Sequence, residues 1–242
     1  MPHGTPDWGL VGPKRTTYGL DDLGEHAVRL GSPHFFDRRG DVMWQTDFRE
    51  GLGDMTVTLS GLGSVGQLLT GYSRTGPYCL GMVAGSTANW NGLFAKDIPY
   101  SVASSFGVEC SFSHDLNVVD IDFMLQFHTP TVLYGGAILW TRVGSTLAYK
   151  DVLGARIPFA AGVPTTRLDR VCNTMKFVVD MVNYQYVRVL WNNIPYSLAG
   201  IGCDRTGPPG ALRIVFLVSV VGANGTNARV NMDNVIITQN EP

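Results

Sequence analysis

The sequence predicts an all-β protein of two packed antiparallel sheets, and its composition supplies the main reasons. Charged residues make up only 16% of the 242 residues, where about 25% is usual, and 29 residues are glycine. Arg outnumbers Lys by 14 to 4, and Asp outnumbers Glu by 16 to 4. Because Lys and Glu favour helices whereas Asp favours turns, this bias indicates strands joined by many turns.

Residues 1–40 are predicted to form an extended N-terminal arm that precedes the domain. They are rich in Gly and Pro and show no sustained period of 2 or 3.6. The arm is nevertheless too apolar to prefer water, so its large side chains should lie on a protein surface, either that of their own domain or that of a neighbour. The apolar residues chosen for this docking role are Trp8, Leu10, Tyr18, Leu20, Leu23, Phe35 and Phe36.

Residues 41–242 are predicted to form the sandwich domain. Apolar segments alternate here with strong chain breakers such as Gly207–Gly210, and no segment has a convincing helical period. The predicted strands are 41–48, 55–60, 66–72, 78–84, 105–114, 117–128, 132–142, 145–151, 174–182, 184–192, 211–221 and 228–238. About a dozen strands, many of them long, suit two packed sheets better than a small barrel.

The segment 117–128 shows which side chains should face the core. Alternation buries Val119, Ile121, Phe123, Leu125 and Phe127 and leaves the intervening polar residues on the outer face, expected to be concave. The polar residues predicted to line a glycan groove there are Asp120, Asp122, Gln126, His128, Tyr184, Tyr186 and Arg188. Trp90 or Trp140 could supply an aromatic platform. The alternative is that this is an ordinary solvated sheet face and that both Trp residues belong to the core.

Four segments of the C-terminal half carry a resemblance to a known family. They are Met175–Asp180 (MKFVVD), Tyr186–Asn193 (YVRVLWNN), Tyr196–Leu198 (YSL) and Val230–Ile237 (VNMDNVII). Over roughly residues 41–238 the pattern resembles the concanavalin A-like or laminin-G-like jelly-roll sandwiches. The resemblance implies an antiparallel jelly-roll fold. This fold hosts lectins, glycosidases, polysaccharide lyases and viral coat components, so it does not by itself imply an activity.

The same resemblance allows a test for catalytic carboxylates. Glycosidases of this fold carry a Glu-x-Asp-x-Glu or Glu-x-Asp-x-x-Glu strand, which sets two acids on one sheet face. Here Asp120 and Asp122 share a face, but Met124 or Leu125 stands where the second acid should be. We therefore expect a protein that is not an enzyme, and glycoside hydrolase is the least favoured alternative.

A structural calcium ion is a second implication of the resemblance. Jelly-roll carbohydrate-binding modules often hold Ca²⁺ with a carboxylate from the last strand and oxygens from the first. Asp233 and Asp47 are the matching positions in this sequence. Hard oxygen ligands of this kind are what Ca²⁺ prefers. The alternative is that Asp233 faces solvent or caps a turn.

Other features of the sequence narrow the possible partners. The net charge of −2 gives no basic field for nucleic acid, and the longest apolar run, 214–221, is too short to span a membrane. The first residues show neither the basic nor the apolar stretch of a secretory signal, so localisation stays open, with a virion as one option. Cys79, Cys110, Cys172 and Cys203 show no zinc spacing; we interpret them as reduced, buried thiols, the alternative being one or two disulfides in an exported protein.

Two functions follow from these observations. The first is a non-catalytic structural or assembly protein, such as a coat, decoration or tail component of a virion, whose arm docks on neighbouring subunits of a homo-oligomer or particle. The second is a lectin-like carbohydrate-binding module that uses the polar sheet face. The two are compatible, since particle surface proteins can also bind glycans.

Overall fold

The computed structural model describes residues 39–53, 55–59, 62–74, 76–86, 91–99, 104–166, 171–192, 194–207, 210–223 and 225–242. These residues form sixteen β-strands and a short 3₁₀ turn at Val143–Ser145. The strands are β1 (Asp41–Thr46), β2 (Thr56–Leu59), β3 (Val65–Leu69), β4 (Cys79–Ala84), β5 (Asn91–Pro99), β6 (Ser105–His114), β7 (Val118–His128), β8 (Leu133–Thr141), β9 (Thr146–Lys150), β10 (Arg156–Ala160), β11 (Asn173–Asp180), β12 (Gln185–Trp191), β13 (Ile194–Ser197), β14 (Asp204–Gly207), β15 (Arg213–Gly222) and β16 (Ala228–Gln239).

The strands make two antiparallel sheets of eight strands each, which confirms the predicted all-β sandwich. Sheet A has the order β13-β12-β11-β6-β16-β4-β3, and sheet B has the order β10-β9-β8-β7-β15-β5-β2. The twelve-residue β16 is central to sheet A, since it pairs with β6 along one edge and with both β4 and β1 along the other. In sheet B, β14 adds to β8.

Four strands were not predicted, and their sequences explain why. Strand β5 reads NGLFAKDIP, in which Gly, Lys, Asp and Pro interrupt the apolar pattern, yet it pairs with β15 over its whole length. Strands β10, β13 and β14 are only four or five residues long and contain Pro or Gly. Short strands of this kind take their structure from a neighbouring strand rather than from their own propensity.

The core lies between the two sheets. On β7 the side chains of Ile121, Phe123, Leu125 and Phe127 are buried as predicted, while Val118 is buried in place of Val119 because the pairing with β15 shifts register at that end. Phe112 of sheet A packs on Phe123 at 5.1 Å and on Trp191 at 5.2 Å between ring centroids. This aromatic cluster joins the two sheets.

The predicted arm lies almost wholly outside the described residues. Its docking residues Trp8, Leu10, Tyr18, Leu20, Leu23, Phe35 and Phe36 all fall in 1–38, which the structure does not describe. The arm and the boundary at residue 41 therefore remain predictions. In the described part of the chain, no helix has the length and apolar character to cross a membrane.

Candidate functional site

The predicted glycan residues do not share one face. Strand β7, with Asp120, Asp122, Gln126 and His128, belongs to sheet B, whereas β12, with Tyr186 and Arg188, belongs to sheet A. The outer faces of two packed sheets point in opposite directions, so β7 and β12 cannot line one groove. The prediction of a single face was wrong because alternation along a strand does not reveal which sheet the strand joins.

Tyr186 lies in the core rather than on an outer face, with 1% of its surface exposed. The register of β11 and β12 shifts between Val178 and Val179, which leaves Val187 as an extra residue. A bulge of this kind changes the side-chain alternation, so Tyr186 and Val189 both point inward. The Tyr186 hydroxyl accepts a hydrogen bond from the Ala137 amide at 2.8 Å and donates to the Lys150 carbonyl at 2.9 Å. Burial raises its pKa well above the usual value.

Asp120 and Asp122 do share the outer face of sheet B, where a single guanidinium joins them. Arg156 of β10 lies 3.0 Å from Asp120 and 3.2 Å from Asp122. Burial raises the pKa of Asp122, with Arg156 opposing that shift. Both carboxylates are thus paired with an arginine of the edge strand β10, an arrangement that the sequence did not suggest.

The other two polar residues of β7 lie further along the same face. Gln126 stands opposite Val215 and His128 opposite Arg213 in the pairing with β15. Burial lowers the pKa of His128, and Arg213 lowers it further. These two side chains remain candidates for ligand contact on sheet B.

The aromatic platform differs from the prediction. Trp140 is fully buried and packs on His114 at 4.6 Å, so it cannot contact a ligand, and Trp90 lies outside the described residues. Tyr184, in the turn between β11 and β12, adopts a left-handed φ of 54° and stacks on Tyr134 at 3.6 Å. Arg205 lies 5.5 Å from the Tyr134 ring centre. Tyr134 and Tyr184 are both half-buried, so this stacked pair is a different aromatic group from the one predicted.

A pocket of about 340 Å³ opens on sheet A beside the junction of β1 and β16. Six of its seven lining residues are polar in type, and the set consists of Gln45, Thr46, Asp47, Arg49, Glu50, Asn234 and Ile236. The register places Gln45 opposite Ile236, on the outer face of the sheet. Since these residues come from chain segments far apart in sequence, the pocket could not be read from local patterns.

Two unusual backbone conformations shape this pocket. After β1 the chain turns at Phe48, whose φ is 60° and whose buried ring anchors the turn; its amide donates to Thr46 Oγ1 at 3.0 Å. On the facing strand, β16 is irregular between Asp233 and Ile236, and Asn234 has a φ of 48°. Non-glycine residues in this region are uncommon and often mark functional sites.

The residues predicted to hold calcium do not form a ligand set in the structure. Asp47 lines the pocket and pairs with Arg49 at 2.7 Å, while buried Asp233 accepts hydrogen bonds from the Arg74 and Asn234 amides at 2.7 and 2.8 Å. Among the residues that the structure describes, no three His, Cys, Asp or Glu side chains cluster as metal ligands. The carboxylate oxygens of Asp47 and Asp233 are thus already bonded to protein groups. They do not fit a Ca²⁺ site, which needs six or more oxygen ligands.

A second polar cluster lies on the same outer face, around Glu241. This carboxylate is fully buried and contacts Lys176 at 2.7 Å and Arg188 at 2.6 Å, while Thr238 donates to it from β16. Arg188, predicted as a glycan contact, is thus engaged by Glu241 and by the Pro242 carbonyl. The sequence did not indicate this cluster, because its members lie far apart along the chain and only strand pairing brings them together.

The four cysteines are free thiols, and three of them are buried. Burial raises the pKa of Cys79 and of Cys203 to about 12, and that of Cys172 to about 11. Thiols with such pKa values are protonated at neutral pH and are poor nucleophiles.

Comparison with known proteins supports the fold assignment. No protein-family model and no curated protein sequence matches the chain. Among solved structures, the carbohydrate esterase of Shiga toxin-encoding bacteriophage phi24B matches with a TM-score of 0.54 at 10% identity, over 84% of this chain and 100% of that one. The endo-β-1,4-glucuronan lyase of the fungus Trichoderma reesei matches with a TM-score of 0.54 at 9% identity, over 82% and 96%.

A carbohydrate recognition domain also matches the fold. The metal-free carbohydrate recognition domain of Emp46p matches with a TM-score of 0.50 at 13% identity, over 80% of this chain and 91% of that one. Likeness at such low identity shows the fold alone, and it confirms the predicted jelly-roll β-sandwich. Because two of these three structures are enzymes and one is a recognition domain, the fold leaves catalytic activity open.

Proposed function

We propose that the protein is a carbohydrate-binding module whose ligand occupies the pocket between β1 and β16 on sheet A. The observation that carries the proposal is the pocket's lining. Amide, carboxylate and guanidinium groups of Gln45, Asp47, Arg49, Glu50 and Asn234 surround about 340 Å³. Planar groups of this kind can donate to and accept from neighbouring sugar hydroxyls, and the volume falls within the usual range of ligand pockets.

The proposed site lies on sheet A, apart from the predicted glycan residues of β7 on sheet B. On sheet B, Asp120 and Asp122 are occupied by Arg156, which leaves Gln126 and His128 as the remaining predicted contacts on that face. On sheet A, Glu50 and Arg49 are exposed at the pocket. The three matched structures are a carbohydrate esterase, a glucuronan lyase and a carbohydrate recognition domain, which supports a sugar ligand without specifying which sugar.

A glycan array followed by calorimetry on the best ligand tests the proposal. Replacing Gln45 or Glu50 with Ala should weaken binding at least tenfold, because each change removes hydrogen-bonding groups from the pocket, worth about 1.4 kcal/mol or more. The matched control is Gln126→Ala with His128→Ala on sheet B, which should leave affinity unchanged. Loss of binding in the control alone would place the site on sheet B, and an array without any ligand would contradict the proposal.

The assembly hypothesis rests on residues 1–38 and therefore stays a prediction from the sequence. A particle protein and a glycan-binding protein need not be alternatives, since the pocket lies on the domain and the assembly role was assigned to the arm.

A further inference from the structure

The Glu241 carboxylate lies in an anion-binding cradle formed by Lys176, Arg188 and Thr238. Lys176 and Arg188 contact it from β11 and β12 at 2.7 and 2.6 Å, and the Thr238 hydroxyl donates to it from β16. Charge-assisted hydrogen bonds of this type are the strongest a carboxylate makes in a protein. The Lys176 side chain is only 1% exposed, so the ion pair with Glu241 is buried.

Two glycines make room for this carboxylate. A Cβ atom at Gly107 would lie 2.7 Å from Glu241 Oε1, and one at Gly40 would lie 2.6 Å from it. Both distances are well inside van der Waals contact, so any side chain at either position would displace the carboxylate. The cavity is thus fitted to the size of a carboxylate group.

The chain must reverse direction to bring Glu241 into the cradle. β16 ends at Gln239, and Asn240 then takes a left-handed φ of 55°. This conformation returns the next residue over the strand that it has just left, so that Glu241 meets Thr238. The segment 240–242 is otherwise held at its rim by Asn240, which donates to Asp41 at 2.7 Å, and by the Glu241 amide, which donates to the Ser105 carbonyl at 3.2 Å.

The cradle lies on the same outer face as the proposed sugar pocket. Ile236, which lines the pocket, stands opposite Glu109 of β6, and Glu109 stands opposite Lys176 of β11. Two interstrand spacings separate Ile236 from Lys176, which is about 10 Å. A ligand longer than one sugar ring could therefore reach from the pocket to the cradle.

We propose that the cradle of Lys176, Arg188 and Thr238 is a carboxylate subsite for an acidic glycan, and that Glu241 fills it as an internal mimic until the ligand displaces segment 240–242. The inference rests on the proposed carbohydrate-binding function and assigns its ligand class. Glu109 stands opposite Lys176 and also interacts with Arg74, so without Glu241 the described cations at this place, Lys176, Arg188 and Arg74, outnumber the carboxylate of Glu109. That excess positive charge attracts an acidic sugar in preference to an uncharged one.

Glu241→Ala tests the proposal in two ways. The cavity that it opens should take up acetate, so sodium acetate should raise the thermal midpoint of this variant above its value in sodium chloride of equal ionic strength, with no such rise in the unmodified protein. In calorimetry, the variant should bind oligoglucuronate at least tenfold more tightly than the unmodified protein does, with unchanged affinity for uncharged cello-oligosaccharides. Adding Lys176→Met should abolish both effects.

The controls keep this test separate from that of the parent proposal. Glu241→Gln keeps the side-chain volume but not the charge, so it should give a smaller increase in affinity for oligoglucuronate. This variant replaces Glu241→Ala in the test if the Ala variant does not fold. If acetate did not raise the thermal midpoint of the Glu241→Ala variant and its affinity for oligoglucuronate did not increase, the subsite proposal would be wrong. If acetate stabilised the variant but its affinity for oligoglucuronate did not increase, Glu241 would have a structural role only, and the subsite proposal would again be wrong. Absence of all glycan binding, charged or uncharged, would remove the parent proposal as well.

Discussion

At the scale of single residues, Tyr186 shows how one hydroxyl serves both sheets. The ring is on β12 of sheet A, while the hydroxyl bonds to the amide of Ala137 on β8 and to the carbonyl of Lys150 on β9, both in sheet B. Buried backbone groups that lose a hydrogen-bond partner are costly. Tyr186 therefore links the two sheets by hydrogen bonds within the interior.

Replacing Tyr186 with Phe should lower the free energy of unfolding by about 1–3 kcal/mol, since the Ala137 amide is left buried without its acceptor. Urea denaturation followed by fluorescence measures the change. Tyr196→Phe is the matched control: its ring packs on Phe159 at 5.6 Å, and its hydroxyl makes no hydrogen bond among the described residues. Equal losses in the two variants would contradict the role given to the Tyr186 hydroxyl.

At the scale of elements, the edge strand β10 contacts sheet B through an ion pair as well as through backbone pairing. It pairs with β9, while its Arg156 reaches across β9 and β8 to Asp120 and Asp122 on β7. Arg156 is 43% exposed, so the ion pair contributes little on its own. Burial of Asp122 is the larger effect, because its pKa is raised despite the neighbouring guanidinium.

The raised pKa of Asp122 predicts the sign of a pH effect. Between its ordinary value of 3.8 and its raised value, the folded protein holds more protons at this site than the unfolded chain, so this contribution to stability falls as pH rises through that window. Asp122→Asn removes the titration, and its stability relative to the unmodified protein should improve from about pH 4 towards neutrality. Urea midpoints across that range measure the difference.

The control for this experiment is Asp97→Asn, which alters an exposed aspartate paired with Arg213 at 3.2 Å. The stability of this variant relative to the unmodified protein should not improve as pH rises from about 4 towards neutrality. If Asp122→Asn instead became progressively less stable than the unmodified protein as pH rises, the ion pair with Arg156 would outweigh burial, and the direction given for the pKa would be wrong.

At the scale of the whole molecule, local patterns predicted the layers but not their arrangement. β7 contains no chain breaker, so its alternation gave the buried set almost completely. β12 has the same alternation in sequence, but the bulge at Val187 reverses it, and nothing local indicates a bulge. The pocket combines residues 45–50 with Asn234, which only long-range strand pairing brings together.

The assembly hypothesis predicts that the oligomeric state depends on the arm, of which the structure leaves residues 1–38 undescribed. If residues 1–38 form a docking arm, the full chain should have a native mass above that of a monomer in light scattering, and a variant lacking residues 1–38 should be monomeric. Circular dichroism should show that the shortened protein keeps its strands. A monomeric full chain, or an oligomer that persists without these residues, would count against the assembly hypothesis.

The position of β16 has a consequence for how the protein is made. Sheet A is joined through this strand, which lies between β6 and β4 and also pairs with β1, yet it is synthesised more than a hundred residues after β6. Until it arrives, the emerging chain presents unpaired, largely apolar edges of β4 and β6, which favour association with other chains. Closing such long-range pairs is slow, so chaperone assistance during biosynthesis should matter more for this protein than its modest size suggests.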